Sequence, residues 1–364
     1  MDTTDHDIQF TENGICNHCK TFEKRKLEIT IPYEKGGKEK INHLVKKIKK
    51  AGNGKKYDCL IGVSGGVDSS FIAYIVKKLG LRPLAVHLDN GWNSELAVNN
   101  IEKLLKKLDI DLYTHVINWE EFKNIQLAFL RSSTPDAEQP TDHAILAILY
   151  RVAVKQRIKY IIMGGNHNSE GILPNSWSYG TADWKYISGI IKKFGKGKIK
   201  TWPHFNFLDY IFFVYIKKIK PIRILDYLSY NRENAMQIIE DKLSWKYYGG
   251  KHYESIYTRF FQSYILPKKF NIDKRKAHYS SLICSGQITK EEALKKIKKD
   301  TYSKDKLKED KIYVIKKLGL TENEFEKIMS LPIKSFRDYP NNYYFFNILF
   351  TLRNFLKKFI KNMI

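Results

Sequence analysis

Residues 59–70 read CLIGVSGGVDSS, an apolar run that ends abruptly in two glycines, an aspartate and three hydroxyls. Those residue types in that order suit the binding of a phosphate group. Gly65 and Gly66 let the backbone turn sharply and bring bare amides, with that of Val67, close to a ligand. Ser64, Ser69 and Ser70 add hydroxyl donors, and Asp68 is a carboxylate suited to a phosphate-bound Mg2+. No Gly-Lys-Ser/Thr follows the glycines, so the stretch is not a Walker loop. The plainer alternative is a tight strand-to-helix turn capped by serine.

The flanking elements favour the phosphate reading. Residues 60–63 form a short, β-branched-rich run that predicts a buried strand. From Ser69 onward the chain repeats apolar residues at helical spacing and stops at Lys77, Lys78 and Gly80. A helix starting there aims its positive end at the glycine turn. The alternation continues with candidate strands at 82–88 (RPLAVHL), 111–117 (DLYTHVI) and 160–165 (YIIMGG), with helical patterns between them. It predicts an α/β fold with a doubly wound parallel sheet that binds ligand at the carboxyl ends of its strands. Asp89 in HLDNGW, and Gly164 and Asn166 in GGNHNSEG, would then stand at the ends of the second and fourth strands.

Three further groups carry chemical potential. Cys16 and Cys19 form a CxxC in a polar turn, half of a tetrahedral zinc site, with Cys284, His252 and His278 as candidate completing ligands. Two free thiols are the alternative. Asp142, in PTDHAI at the start of a helical pattern, is either part of the helix cap or a second carboxylate for Mg2+. The stretch YYGGKHYESIYTRF gathers Lys251, His252 and Arg259 near two glycines, where Lys and Arg suit polyphosphate or a substrate carboxylate.

At 364 residues the chain has room for one large or two ordinary domains. Its 63 Lys and Arg against 39 Asp and Glu leave a net charge of +24, which implies anionic partners: nucleotides, RNA or a membrane surface. Four cysteines do not frame a disulfide scaffold. The longest apolar run, 211–216, is too short to span a bilayer, and no signal peptide is visible, so a cytoplasmic location is expected. The tail YYFFNILFTLRNFLKKFIKNMI predicts a basic amphipathic helix, for packing on the body or a partner, or for peripheral contact with a membrane.

The SGGVDSS stretch resembles the pyrophosphate loop of the N-type ATP pyrophosphatases, the PP-loop superfamily. Across nearly the whole chain, HLDNGW, PTDHAI, GGNHNSEGILP, YGTADWKYI, WKYYGGKHYESIYTRF and KRKAHYSSLICSGQ resemble the N-acetyl sugar amidotransferases of the WbpG and PseA type. The resemblance implies an ATP-dependent ligase forming AMP and pyrophosphate. It would convert the acetamido group of a nucleotide-linked N-acetyl sugar to an acetamidino group in surface-polysaccharide (LPS O-antigen) or flagellin-glycan biosynthesis. Ammonia would come from partners resembling the HisH glutaminase and HisF subunits.

On this resemblance ATP and Mg2+ lie at residues 64–70 with Asp89, Gly164 and Asn166. Asp68, Asp142 and Lys251 serve catalysis, and Trp184, Lys185, Tyr186, His252 and Arg259 meet the substrate. Trp177 and Tyr179 are placed either against the substrate or in the core. The implied divisions are an N-terminal CxxC segment over 1–50, an ATP pyrophosphatase domain over 51–206, and a helical substrate and partner region over 207–364. In the family a further CxxC commonly precedes the segment where Met1 stands here, which implies a late start or a halved zinc ribbon.

Two rivals remain. A tRNA-modifying PP-loop enzyme fits the charge and the CxxC, but no separate RNA module with interleaved basic and aromatic residues is evident, so no nucleic acid is expected. A non-catalytic nucleotide-binding scaffold is disfavoured by the intact loop.

Overall fold

The computed structural model describes residues 1–29, 36–300, 303–349 and 351. Five parallel strands form one sheet: β1 (Cys59–Gly62), β2 (Pro83–Asp89), β3 (Asp111–Val116), β4 (Tyr160–Ile162) and β5 (Lys220–Ile222), ordered β3-β2-β1-β4-β5. The order reverses at β1, where consecutive crossovers leave on opposite sides, and this opens a crevice at the strand ends. Leu60 pairs with Leu84 on one side and with Ile161 on the other.

Side chains of the central strands alternate between two cores, as the two-residue period demands. Leu60, Leu84, Val86 and Leu88 pack into one, and Cys59, Ile61, Val63 and Ala85 into the other. Both faces are covered by helix, which is why these strands read as unbroken apolar runs. β3 is an edge strand, and there Leu112 and Val116 stand exposed.

The helices in chain order are α1 (Asn17–Ile29), α2 (Gly37–Gly52), α3 (Val67–Lys78), α4 (Glu95–Leu108), α5 (Trp119–Ser132), α6 (Gln139–Lys155), α7 (His167–Glu170) and α8 (Trp184–Phe194). α2, α3 and α4 close one core with Ile41, Phe71 and Ile101, while α5, α6 and α8 close the other with Phe122, Ile148 and Ile187.

After α9 (Phe207–Ile211) and a π turn at Phe212–Ile216, β5 joins the sheet. The sheet thus draws on sequence beyond residue 206, in the stretch read as helical. The following helix, α10 (Arg232–Leu243), packs its Ala235 and Ile239 into the core that holds Phe71 of α3. The remaining helices are α11 (Ile256–Phe260), α12 (Leu266–Phe270), α13 (Lys274–Cys284), α14 (Lys290–Ile297), α15 (Lys304–Lys317) and α16 (Glu322–Ser330). Of the expected tail helix, residues 343–349 are helical, and most of the rest lies outside the described residues. Among the described residues no helix is long and apolar enough to cross a membrane.

One buried ion pair ties α11 to α15. Arg259 donates through Nε and Nη2 to both carboxylate oxygens of Asp310, at 2.7 and 2.9 Å. The two side chains are 10% and 5% exposed. This corrects the expectation that Arg259 meets substrate, because its fork is already closed on a carboxylate inside the protein. Arg259→Ala should therefore cost stability, about 3–5 kcal/mol. Urea unfolding measures the loss as a lowered midpoint.

Candidate active site

The loop after β1 has the shape its glycines imply. Gly65 sits at φ +80°, and a Cβ there would lie 2.7 Å from the carbonyl oxygen of Ala97 in α4. Both conformation and space therefore exclude a side chain. Ser64 Oγ accepts from the Gly66 amide at 3.3 Å and lies 3.2 Å from Ser69 Oγ, while Ser69 donates to the Gly66 carbonyl at 3.1 Å. The α3 N-terminus thus opens directly onto a cradle of amides and hydroxyls.

A distant segment covers this cradle. Trp245 Nε1 donates to Gly65 O at 2.9 Å, and the Tyr248 hydroxyl accepts the Val67 amide at 3.3 Å. Glu254 Oε1 accepts from Ser64 at 3.4 Å, and a Cβ on Gly66 would lie 2.9 Å from it. The Glu254 carbonyl accepts the Ser94 amide at 2.8 Å, so the segment is also fastened to the loop beyond β2.

The charged groups meet beside the loop. Asp68 accepts a hydrogen bond from the Tyr230 hydroxyl. Burial lifts its pKa above the ordinary value and Glu170 adds to the lift, against Lys251, Tyr230 and Arg232. Glu170 pairs with Lys251 at 2.8 Å. Burial pushes the Glu170 carboxyl up, but Lys251, His252 and His278 outweigh it and hold the pKa at about 2. His252 is disfavoured as a cation by burial, yet the Glu254 carboxylate 3.9 Å away raises its pKa overall. At His278 the balance goes the other way, although the Ser169 carbonyl and Glu170 both favour its cation. Burial and Lys251 lower its pKa to about 3, and its Nδ1 lies 2.7 Å from the Ser169 carbonyl oxygen.

Asp142, in the first turn of α6, is pushed up to about 7 by burial and by Glu138, against Lys274 and His252. Lys274 in turn pairs with Glu138 at 3.0 Å. From Glu170, Lys251 and His252 a cavity of about 810 Å3 runs outward along α10 and α13, past Arg232, Tyr253, Lys274, Arg275, His278 and Tyr279. Acid, base and cation at one end, with aromatic and basic walls beyond, suit an anionic organic substrate held against a phosphate.

Lys251 and His252 line the cavity beside Glu170, and the charge of Glu170 acts on both Asp68 and Asp142, although Asp142 does not itself line the cavity. At the neighbouring strand ends Asp89 holds the Gly91 amide at 2.9 Å, Gly164 lies at the end of β4, and Asn166 caps α7 through the Ser169 amide at 2.8 Å. Asn166 Nδ2 is buried without a protein partner.

Trp184, Lys185 and Tyr186 do not line the cavity. YGTADWKYI folds instead into the cap and first turn of α8, with Asp183 accepting the amides of Lys185 and Tyr186 at 3.0 and 3.3 Å. Tyr186 is fully buried with its hydroxyl on Asp136 at 2.8 Å, Trp184 stacks on His204 at 4.2 Å, and Lys185 faces solvent. Trp177 and Tyr179 are core.

Zinc finds no support. Cys19 Sγ lies 3.4 Å from Cys16 and 3.7 Å from Cys284, while His252 and His278 face the cavity. Among the described residues no group of three or more His, Cys, Asp or Glu is arranged to hold a metal ion. Burial raises the Cys16 pKa, and the Cys284 contact with burial raises that of Cys19, so both stay as thiols.

Sequence reasoning missed Glu170 and Glu254 as site residues although both sit inside glycine-rich stretches. Tyr230 and Arg232 carried no local signal at all. The raised pKa of Asp142 has a measurable sign. Its ionisation costs the folded state nothing below the ordinary carboxylate range and its full penalty above about pH 7. Asp142→Asn should accordingly raise the melting temperature at about pH 8.5 and leave it unchanged near about pH 4. The gain is modest, because solvent reaches this carboxylate.

Two family profiles match separate parts of the chain: "NAD synthase" over residues 38–200 and "LPS biosynthesis protein WbpG-like, C-terminal domain" over 254–353. An uncharacterized protein of Methanocaldococcus jannaschii is 26% identical over 306 residues, 82% of this chain and 90% of that one. The tRNA(Ile)-lysidine synthase of Chlamydia pneumoniae is 35% identical over 69 residues, 18% of this chain and 21% of that protein. The NH3-dependent NAD synthetase of Campylobacter jejuni, a solved structure, is 14% identical with a TM-score of 0.32, covering 73% of this chain and 97% of its own. The first profile spans the phosphate loop and the second includes α13, which walls the cavity, so a NAD synthase-like region and a WbpG-like C-terminal domain together support an ATP-using enzyme of the amidotransferase kind.

Proposed function

We propose that this enzyme converts the acetamido group of a nucleotide-linked N-acetyl sugar to an acetamidino group, in the assembly of a surface polysaccharide or flagellin glycan. One observation carries the reading. The head of the cavity, at Glu170, Lys251 and His252, adjoins the phosphate loop at Asp68, so a substrate in the cavity meets ATP at the loop.

Amide oxygen is a poor leaving group. In the proposed sequence it attacks the α-phosphorus of ATP, and pyrophosphate leaves into the amides and hydroxyls of residues 64–70. Ammonia then adds to the imidate carbon, and AMP departs carrying the former amide oxygen. Lys251, paired with Glu170 at 2.8 Å, would meet the charge that builds on the phosphates. Asp142, with its pKa raised to about 7, would take a proton from the incoming ammonia.

Asp68 and Glu170 raise the cost of each other's charge in one crevice, which suits a divalent cation joined by phosphate oxygens. Mg2+ would be held there, with Asp68 as its protein ligand, and would neutralise charge on the departing pyrophosphate. Ammonia would come from HisH- and HisF-like partners; Cys59 is buried in the sheet and Cys19 contacts both Cys16 and Cys284, so none of these thiols stands ready as a glutaminase nucleophile.

Incubation with ATP, ammonium salt and UDP- or CMP-linked N-acetyl sugars tests this. AMP and pyrophosphate should form with an amidine product, and glutamine should replace ammonium only when the partners are added. ADP formation, or use of glutamine by the purified chain alone, would contradict the proposal. Asp68→Asn should lower kcat by about 100-fold or more while the protein stays folded. Near-normal turnover would remove Asp68 from the site.

A further inference from the structure

Two segments far apart in sequence share one apolar face. Phe207 of α9 meets Phe345 and Phe346 with ring centroids 5.2 and 6.3 Å apart. Large side chains of these two segments stand in solvent, with Leu208 at 73%, Ile216 at 65% and Tyr344 at 75% of full exposure, together with Tyr215 and Ile348. Single exposed apolar residues are ordinary, but a contiguous group marks a contact surface. The inward side is already filled by Phe213, which stacks on Tyr150 at 5.0 Å.

Charge decides what the surface fits. Lys217 lies 5.1 Å from the centre of the Phe212 ring, and Lys218 and Lys220 follow it. Across residues 203–222 the sole carboxylate is Asp209, engaged in the α9 capping box with Asn206. Residues 339–364 contain no Asp or Glu, but include Arg353, Lys357, Lys358 and Lys361. A second copy would bring lysine against lysine across the interface, and the basic tail folded over the patch would do the same. Exposed aromatic and aliphatic side chains rimmed by lysines match a bilayer interface, where rings sit at headgroup level and ammonium groups reach phosphate.

We infer that this face, residues 207–220 with 343–348, docks peripherally on a membrane rich in anionic phospholipid. Full-length protein should float with phosphatidylcholine vesicles that include phosphatidylglycerol, less so as salt rises, and not with phosphatidylcholine alone. The pair Leu208→Ser and Ile216→Ser, and separately Lys217→Glu with Lys218→Glu, should each weaken binding by about tenfold or more. Melting curves distinguish loss of the surface from loss of the fold. The inference fails if anionic vesicles bind nothing, if neutral vesicles bind equally, or if well-folded variants bind like the wild type. It fails equally if the protein is a dimer in solution that either pair dissociates, because a second copy then occupies the face.

Discussion

The constraint on which the site depends is that a bare backbone must reach an anion at the start of α3. Gly65 can make the turn only because it has no Cβ to meet the Ala97 carbonyl, and Gly66 leaves the room that Glu254 occupies. Everything around the loop preserves that gap. α4 fixes its floor, Trp245 holds the Gly65 carbonyl, and Tyr248 takes the Val67 amide. The loop belongs to one matched region and Glu254 opens the other, while Trp245 and Tyr248 come from the stretch between them, so the site draws on all three.

Burial and charge work against each other there. In water the carboxylates of Asp68, Glu170 and Asp142 would behave alike. In the crevice Glu170 is held ionised by Lys251, Asp142 is pushed toward neutrality, and Asp68 is lifted by burial and by its acidic neighbour. Such divergence among similar groups is what acid–base and phosphate chemistry at neutral pH requires. The cations that balance them come from α13 and from the residues before α11, which explains how a helical region with no nucleotide motif contributes to an ATP site.

Four of the five strands were legible in sequence because short β-branched runs between helical patterns have few alternatives, and their observed limits fall within a few residues of the expected ones. β5 was not, since Lys220, Pro221 and Ile222 resemble a turn and become a strand only by pairing with β4. The loop was legible for the same local reason as the strands. Trp184 and Tyr186 misled because aromatic side chains in a glycine-rich stretch look equally suited to ligand and to core, and capping by Asp183 turns them inward. Tyr230 and Arg232 reach the site only through the packing of α10 on α3, a tertiary fact without local trace. Cys284 does meet the N-terminal CxxC, yet contact between thiols is not coordination.

The central proposal is that the amide oxygen of the substrate attacks the α-phosphorus of ATP, in place of attack by water or transfer of the γ-phosphoryl group. An acetamido group carrying heavy oxygen tests it most directly. After one turnover with ammonia, mass spectrometry of the products should find the label in AMP, while pyrophosphate and the amidine carry none. Label retained in the sugar, released to water or found in pyrophosphate would contradict the account.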